Sequence, residues 1–248
     1  MMDFKWTSTP QLYGVFHIGI VIIMILTILV LKKWCTSKSD CFLLKIMHII
    51  GAIMIVAEAW KQWFCFTYVM HGHLSLWYLP FQLCSLSMYL SFIIVYLNEK
   101  LQNVLLVFLA TFSFVAALGA LIYPEDMLRP YIWLTLHGFI FHGLMMLISV
   151  MSIILIRRRR ITSFMPTVIL FGCLTLMAAA INLLCHVLLL ELEQPNMFYI
   201  SPYMTIERPI LTYIQVQYGY LTETAFYLGG IILLSFVMFR LIIKWRRT

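Results

Sequence analysis

The sequence predicts an all-α, polytopic membrane protein with seven transmembrane helices, the N-terminus outside and the C-terminus in the cytoplasm. Three observations predict it. Hydrophobic residues make up 63% of the 248 and charged residues 11%, whereas soluble domains run nearer half apolar and a quarter charged. Apolar runs long enough to cross a hydrocarbon core of ~30 Å recur along the chain. Basic residues gather on alternate connections between those runs. A soluble fold of this length has nowhere to hide so much apolar surface, and one integral membrane domain over 1–248 accommodates it.

Taken in order, the first run covers 12–31. Charged residues and turn formers precede it in Met1–Pro10 and lysines follow it, so it reads as a retained anchor rather than a cleaved signal peptide. The second (46–70) and third (77–97) runs are joined by a short connection with His71, Gly72 and His73 at its tip. Only Asn98, Glu99 and Lys100 separate the third from the fourth (102–123), which predicts a tight helical hairpin. The fifth run (131–156) ends on Arg157–Arg160, the sixth covers 164–190 and the seventh 219–243. The longest loop runs from about Glu191 to Tyr218. Pro195, Pro202 and Pro209 break it, and it is too polar to span. No internal repeat is evident.

Orientation follows from the basic residues. Lys32, Lys33, Lys38, Lys45, Lys100, Arg157, Arg158, Arg159, Arg160, Arg240, Lys244, Arg246 and Arg247 all fall on one side, thirteen of the seventeen. The other side has Lys5, Arg129 and Arg208, and Lys61 lies within a helix. The crowded side is cytoplasmic by the positive-inside rule. The same bias accounts for the net charge of +7 without a nucleic-acid partner, and the Arg157–Arg160 run is a topology signal. The implied partners are membrane lipids, and the implied location is the plasma membrane.

Ionisable groups within spans are expensive and need a reason. The polar and ionisable candidates are His17 in the first helix, Glu58 and Lys61 in the second, Gln82 and Cys84 in the third, His137 and His142 in the fifth, Asn182 and His186 in the sixth, and Glu223 in the seventh. At ~1.5 Å per residue, every one lies within about 18 Å of the outer surface. The cytoplasmic halves are almost purely Leu, Ile, Val, Phe and Met. Such one-sidedness predicts a polar cavity open to the exterior or the outer leaflet. Glu58 with Lys61, and Asn182 with His186, share helix faces; Tyr220, Glu223 and Tyr227 form another stripe. His137 and His142 stand about 140° apart around their helix, too far to point squarely into one site.

Blander readings compete. Glu58 and Lys61 suit a simple buried ion pair, and Asn182 suits interhelical glue. Cys35, Cys41 and Cys173 read as small apolar fillers. Cys65, Cys84 and Cys185 lie in the polar half, where a disulfide is open. His71 and His73 read as solvent-exposed. No helix carries an H-x-x-x-H or H-E-x-x-H pair, so no metal or other cofactor is expected and a zinc hydrolase is disfavoured.

Trp77-Tyr78-Leu79-Pro80-Phe81-Gln82-Leu83-Cys84-Ser85-Leu86 resembles the Leu-Pro-apolar-His-Leu-Cys signature of the bacterial YwaF family of integral membrane proteins. Gly119-Ala120-Leu121-Ile122-Tyr123-Pro124 is similar to that family's helix ending in Tyr-Pro. Phe141-His142-Gly143-Leu144-Met145, Asn182 and His17 match further positions in order and spacing. The sequence departs at Gln82, where the family has His, and at Leu183-Leu184-Cys185-His186, where relatives carry a glycine and then Asn-Tyr. YwaF proteins are in turn similar to the animal transmembrane protein 164 acyltransferases, which move polyunsaturated acyl chains onto ether lysophospholipids through a Cys and a His. That resemblance implies a phospholipid acyltransferase with Cys84 as nucleophile and His142 as base and acid. Lys61, Gln82 or Asn182 would then stabilise the oxyanion. The alternative is a non-enzymatic transporter or ligand sensor with Glu58, Lys61 and Glu223 at the binding site, although the chain lacks an inverted repeat and a Gly/Pro-broken helix pair.

Overall fold

The computed structural model describes residues 5–189, 192, 194–204 and 208–244. Arg246, Arg247 and Glu191 lie outside them. The described chain is all-α, apart from a single bridge between Lys5 and Tyr131. Its helices are α1 (Val15–Thr36), α2 (Asp40–Phe64), α3 (Leu86–Ile93), α4 (Glu99–Ala110), α5 (Phe112–Ile122), α6 (Ile132–Arg159), α7 (Met165–Leu188), α8 (Pro209–Tyr218) and α9 (Tyr220–Lys244). Six helical stretches among the described residues are long and apolar enough to cross a bilayer: α1, α2 with a π-turn carrying it to Val69, α4 with α5, α6, α7 and α9. The protein is a multi-pass membrane protein.

The third apolar run is not one continuous helix. Its helical part covers only Leu86–Ile93, with a 3₁₀ turn Ile94–Tyr96. Pro80 is the reason. It lacks a backbone donor, and its ring pushes Leu79 into an extended conformation (φ −52, ψ 130). The fourth run breaks at Thr111, whose hydroxyl donates to the Val107 carbonyl at 2.7 Å. Such back-bonding bends helices, and Thr111 leaves the helical region (φ −121, ψ −74). The stretch read as a polar loop also hides a helix. Pro209 starts α8 with its preset φ, and Gly219 stops it at φ +85.

α6 is the central post, packed on α1, α2, α4 and α5, while α3 lies on α2. That last crossing depends on Gly51. A Cβ there would come within 2.6 Å of the Phe92 nitrogen and 2.8 Å of the Met88 carbonyl oxygen. α1, α7 and α9 keep most of their Leu, Ile and Val exposed, as a lipid-facing surface requires.

Side-chain bonds tie the helix ends into two groups. At one end Arg158 donates to the Thr36 and Lys38 carbonyls and pairs with Asp40, while Arg159 reaches Gln102 and Asn103. At the other, the Tyr131 hydroxyl donates to the Tyr68 carbonyl at 2.8 Å, and His17 Nε2 donates to the Leu121 carbonyl at 2.9 Å. The second end holds the functional candidates.

Candidate functional site

A cavity of about 690 Å³ opens between α2, the unwound segment before α3, α5, α6, α9 and the connections at their shared end. Six of the ten sequence-flagged residues line it: Glu58, Lys61, Gln82, Cys84, His137 and His142. Space for it comes from small residues facing inward, Ala116, Gly119 and Ala120 on α5 and Gly138 on α6.

Glu58 and Lys61, one turn apart on α2, pair at 2.6 Å. Gln62 donates to the same carboxylate at 2.7 Å and also to the Tyr78 carbonyl. Cys84 lies in the turn just before α3, where Pro80 has stopped the chain from being helical. On α6, His142 Nδ1 donates to the Gly138 carbonyl at 2.7 Å. A carbonyl can only accept, so a neutral His142 carries its free lone pair on Nε2. His137 and His142 both line the cavity despite their angular separation. Leu134, Gly138 and Phe141 fill the arc between them, so the cavity wraps a broad face of α6. No hydrogen bond joins Cys84 to His142, and Glu58, Lys61 and Glu223 do not form one constellation.

The other four flagged residues are off the cavity wall. His17 has both nitrogens engaged, Nδ1 accepting from the Tyr13 amide at 3.2 Å and Nε2 donating to Leu121, so it staples α1 to α5. His186 stacks on Tyr203 with ring centroids 3.5 Å apart. Glu223 is fully buried on α9; Thr224 donates to its Oε2 at 3.3 Å, and Oε1 has no partner among the described residues. Asn182, also buried, binds backbone: its Nδ2 donates to the Met197 carbonyl at 3.1 Å and its Oδ1 accepts from the Met197 amide at 2.8 Å.

That last contact exposes what the sequence reading missed. Residues 196–200 turn back into the bundle, burying Met197, Phe198 and Ile200. Phe198 reaches the Phe171 ring at 6.3 Å and the Phe81 ring at 6.1 Å. Phe198 and Tyr199 both take left-handed conformations at φ 56, a cost that bulky residues accept only when the surroundings over-determine it. Gln82 helps to impose it, donating to the Asn196 carbonyl at 2.8 Å and accepting from the Phe198 amide at 2.9 Å. Gln82 and Asn182 are thus engaged by the loop, leaving Lys61 as the remaining oxyanion candidate named from the sequence.

Reading spans for buried charge also passed over the rim, because rim residues sit in connections. Asp126, Arg129, Tyr123, Tyr199 and Arg208 all line the cavity. Arg208 pairs with Asp126, and its guanidinium lies 4.9 Å from the Tyr123 ring centre and 5.6 Å from that of Tyr199. The Tyr199 hydroxyl donates to Asp126 at 2.9 Å. Burial, with the Asp126 carboxylate beside it, holds the Tyr199 phenol above its ordinary range. The usable signal was the presence of Arg129 and Arg208 on outer connections that are otherwise poor in basic residues. All six cysteines are free, and no cluster of three or more His, Cys, Asp or Glu suited to a metal occurs among the described residues.

The family model for the TMEM164 family matches residues 6–243, nearly the whole chain, and the chain belongs to that family. No curated protein and no solved structure matches it.

Proposed function

We propose that this member of the TMEM164 family is a membrane-embedded phospholipid acyltransferase in which Cys84 is the nucleophile and His142 the general base and acid. The observation that carries the reading is that both residues line one largely apolar cavity, with the His142 tautomer set by Gly138 so that Nε2 is free to take a proton. In the first half-reaction His142 Nε2 removes the thiol proton and the thiolate attacks the ester carbonyl of a donor phospholipid. The C–O bond breaks, a lysophospholipid leaves with the proton from His142, and a thioester remains on Cys84. In the second, His142 deprotonates the hydroxyl of an acceptor lysophospholipid. That oxygen attacks the thioester, and the sulfur leaves and regains its proton. Atoms and protons balance with no further reactant. Lys61 is the cation available to the oxyanion.

The placement in the membrane belongs to the same reading. The run 77–97 forms a seventh crossing whose outer half is unwound. Irregular backbone at membrane depth is tolerated where it is buried in protein or lines a cavity, and 79–85 does so beside the site. With the basic loops cytoplasmic, the cavity opens toward the outer leaflet of the plasma membrane, and the chain falls in the YwaF branch of bacterial relatives. Acyl exchange between a labelled donor phospholipid and a lysophospholipid, in vesicles holding purified protein, tests it. Cys84→Ser is expected to abolish transfer with melting nearly unchanged, and His142→Ala to abolish it with a small loss of stability from the missing Gly138 contact; full activity in Cys84→Ala overturns the mechanism.

A further inference from the structure

The cavity is lined by three cations, one of which has no carboxylate partner among the described residues. Lys61, Arg129 and Arg208 line it against Glu58 and Asp126. Lys61 is held by Glu58 at 2.6 Å and Arg208 by Asp126, with Glu125 at 3.7 Å. Arg129 has no carboxylate partner among the described residues. Its Nε donates to the Asp126 carbonyl at 2.7 Å, which fixes one edge of the guanidinium. Its backbone is fixed as well, because the Thr135 hydroxyl accepts from its amide at 3.1 Å and donates to its carbonyl at 3.0 Å. Arg129 and Arg208 both reach Asp126, one at its carbonyl and the other at its carboxylate, which puts them on one stretch of the cavity rim. Nearby, Arg208 Nη1 is buried, 3.7 Å from the Glu125 carboxylate and without a hydrogen bond among the described residues.

A half-buried guanidinium held rigidly and left without an anion is costly unless something charged docks on it. Its planar fork matches the oxygens of a phosphate. Much of the rest of the wall is apolar, with Leu83, Leu134, Phe141, Phe226 and Ile231 on it. A charged end and an oily body in one cavity call for an amphiphile. We propose that Arg129 anchors the phosphate of a phosphodiester-headed amphiphile, with Lys61 and Arg208 Nη1 completing the anion site, so that the cavity selects phosphate-bearing lipids over neutral glycerolipids of the same chain. This rests on reading the cavity as a lipid site, but not on chemistry at Cys84.

The test uses the full-length protein in detergent, titrated with a fluorescent lysophosphatidylcholine, the monoacylglycerol of the same chain, and inorganic phosphate. Losing one charge-assisted contact is worth roughly ten- to a hundredfold in affinity. Arg129→Gln is expected to weaken lysophosphatidylcholine by that factor and leave the monoacylglycerol unchanged, while Arg129→Lys restores part of the difference. Unchanged binding in Arg129→Gln, or equal loss of both amphiphiles, overturns the proposal. So does inorganic phosphate competing as well as the lipid while the monoacylglycerol fails to bind, since the site would then take free phosphate. If Arg129→Gln discriminates as expected but Cys84→Ser transfers acyl chains normally, the transferase reading fails alone. If Cys84→Ser abolishes transfer but Arg129→Gln binds normally, the anion site fails alone.

Discussion

Gln82 and Asn182 grip consecutive peptide groups of the same loop, Gln82 on Asn196 and Phe198 and Asn182 on Met197. Each side-chain amide donates once and accepts once: the Met197 and Phe198 amides gain their acceptors, and the Asn196 and Met197 carbonyls, which also accept from the Tyr199 and Ile200 amides, gain a second donor. The Asn196 side chain accepts from the Ser201 amide at 2.9 Å and the Tyr220 hydroxyl donates to the Ile200 carbonyl at 2.6 Å, which continues the pattern. This is how a proline-broken segment rests among helices and forms one wall of the cavity.

Asn182→Ala and Gln82→Ala are each expected to destabilise the protein, at about 1–3 kcal/mol per orphaned buried group. Because both act on one loop, the double variant should lose less than the sum. Thermal melting in detergent of the two single variants and the double measures it. Strict additivity would show that the two amides support independent structures.

Gly51→Ala tests the α2–α3 crossing. The new methyl would meet backbone atoms at 2.6 and 2.8 Å, and backbone cannot swing aside as a flexible side chain can. Overpacking of this kind costs about 1–3 kcal/mol. Gly119→Ala is the control, because nothing lies within 4 Å of a Cβ there. A lower melting temperature in the first and little change in the second is the expected pair of results.

Tyr199 predicts a pH dependence. Its raised value means that the folded state holds the phenolic proton more tightly than the unfolded chain. The corresponding stabilisation is fully present below the ordinary tyrosine value of about 10 and is lost as pH rises above it. Melting followed through that window should fall with pH, and Tyr199→Phe should flatten the fall. An unchanged slope in the variant would show that the Tyr199 hydroxyl is not the group whose proton the fold holds.

Much of the fold was legible because the bilayer writes long apolar runs into a sequence, and six long helical stretches answer to those runs. Half-broken elements were not. Leu79-Pro80 reads as the inside of an apolar run although Pro80 unwinds it, and Met197-Phe198-Tyr199-Ile200 is too short an apolar run to announce burial. At the site, Glu58 and Lys61 were visible through their spacing, and Cys84 and His142 through membrane depth and family resemblance. Arg129 and Asp126 were not, since depth reasoning counts charges inside spans and these reach the cavity from a connection. Asn182 stood out as buried and polar, but its partner was unreadable because a backbone partner leaves no trace in residue identity.

Orientation is open to direct measurement. Cys41 is exposed at the start of α2, beside the basic loops, and His73 is exposed in the connection at the other end. In intact cells a membrane-impermeant maleimide is expected to label a His73→Cys variant and to spare Cys41 until the membrane is opened. The reverse pattern would invert the topology and put the cavity on the cytoplasmic leaflet.

The two nitrogens of His142 have separable duties, and substitution can tell them apart. Nδ1 serves structure, donating to Gly138 one turn earlier on α6, while Nε2 is the group that would move a proton. An asparagine amide can still donate near the Nδ1 position, so His142→Asn should keep the Gly138 contact and melt close to the native protein. It has no basic nitrogen, so acyl transfer should vanish. His142→Gln places its amide nearer the Nε2 position and should lose the Gly138 contact, costing about 1 kcal/mol, with transfer equally absent. General acid–base catalysis contributes typically 10²- to 10⁴-fold, so losses of that size in both variants, with unequal melting, are the expected result. Retained transfer in His142→Asn would show that the ring holds α6 together and takes no part in the chemistry.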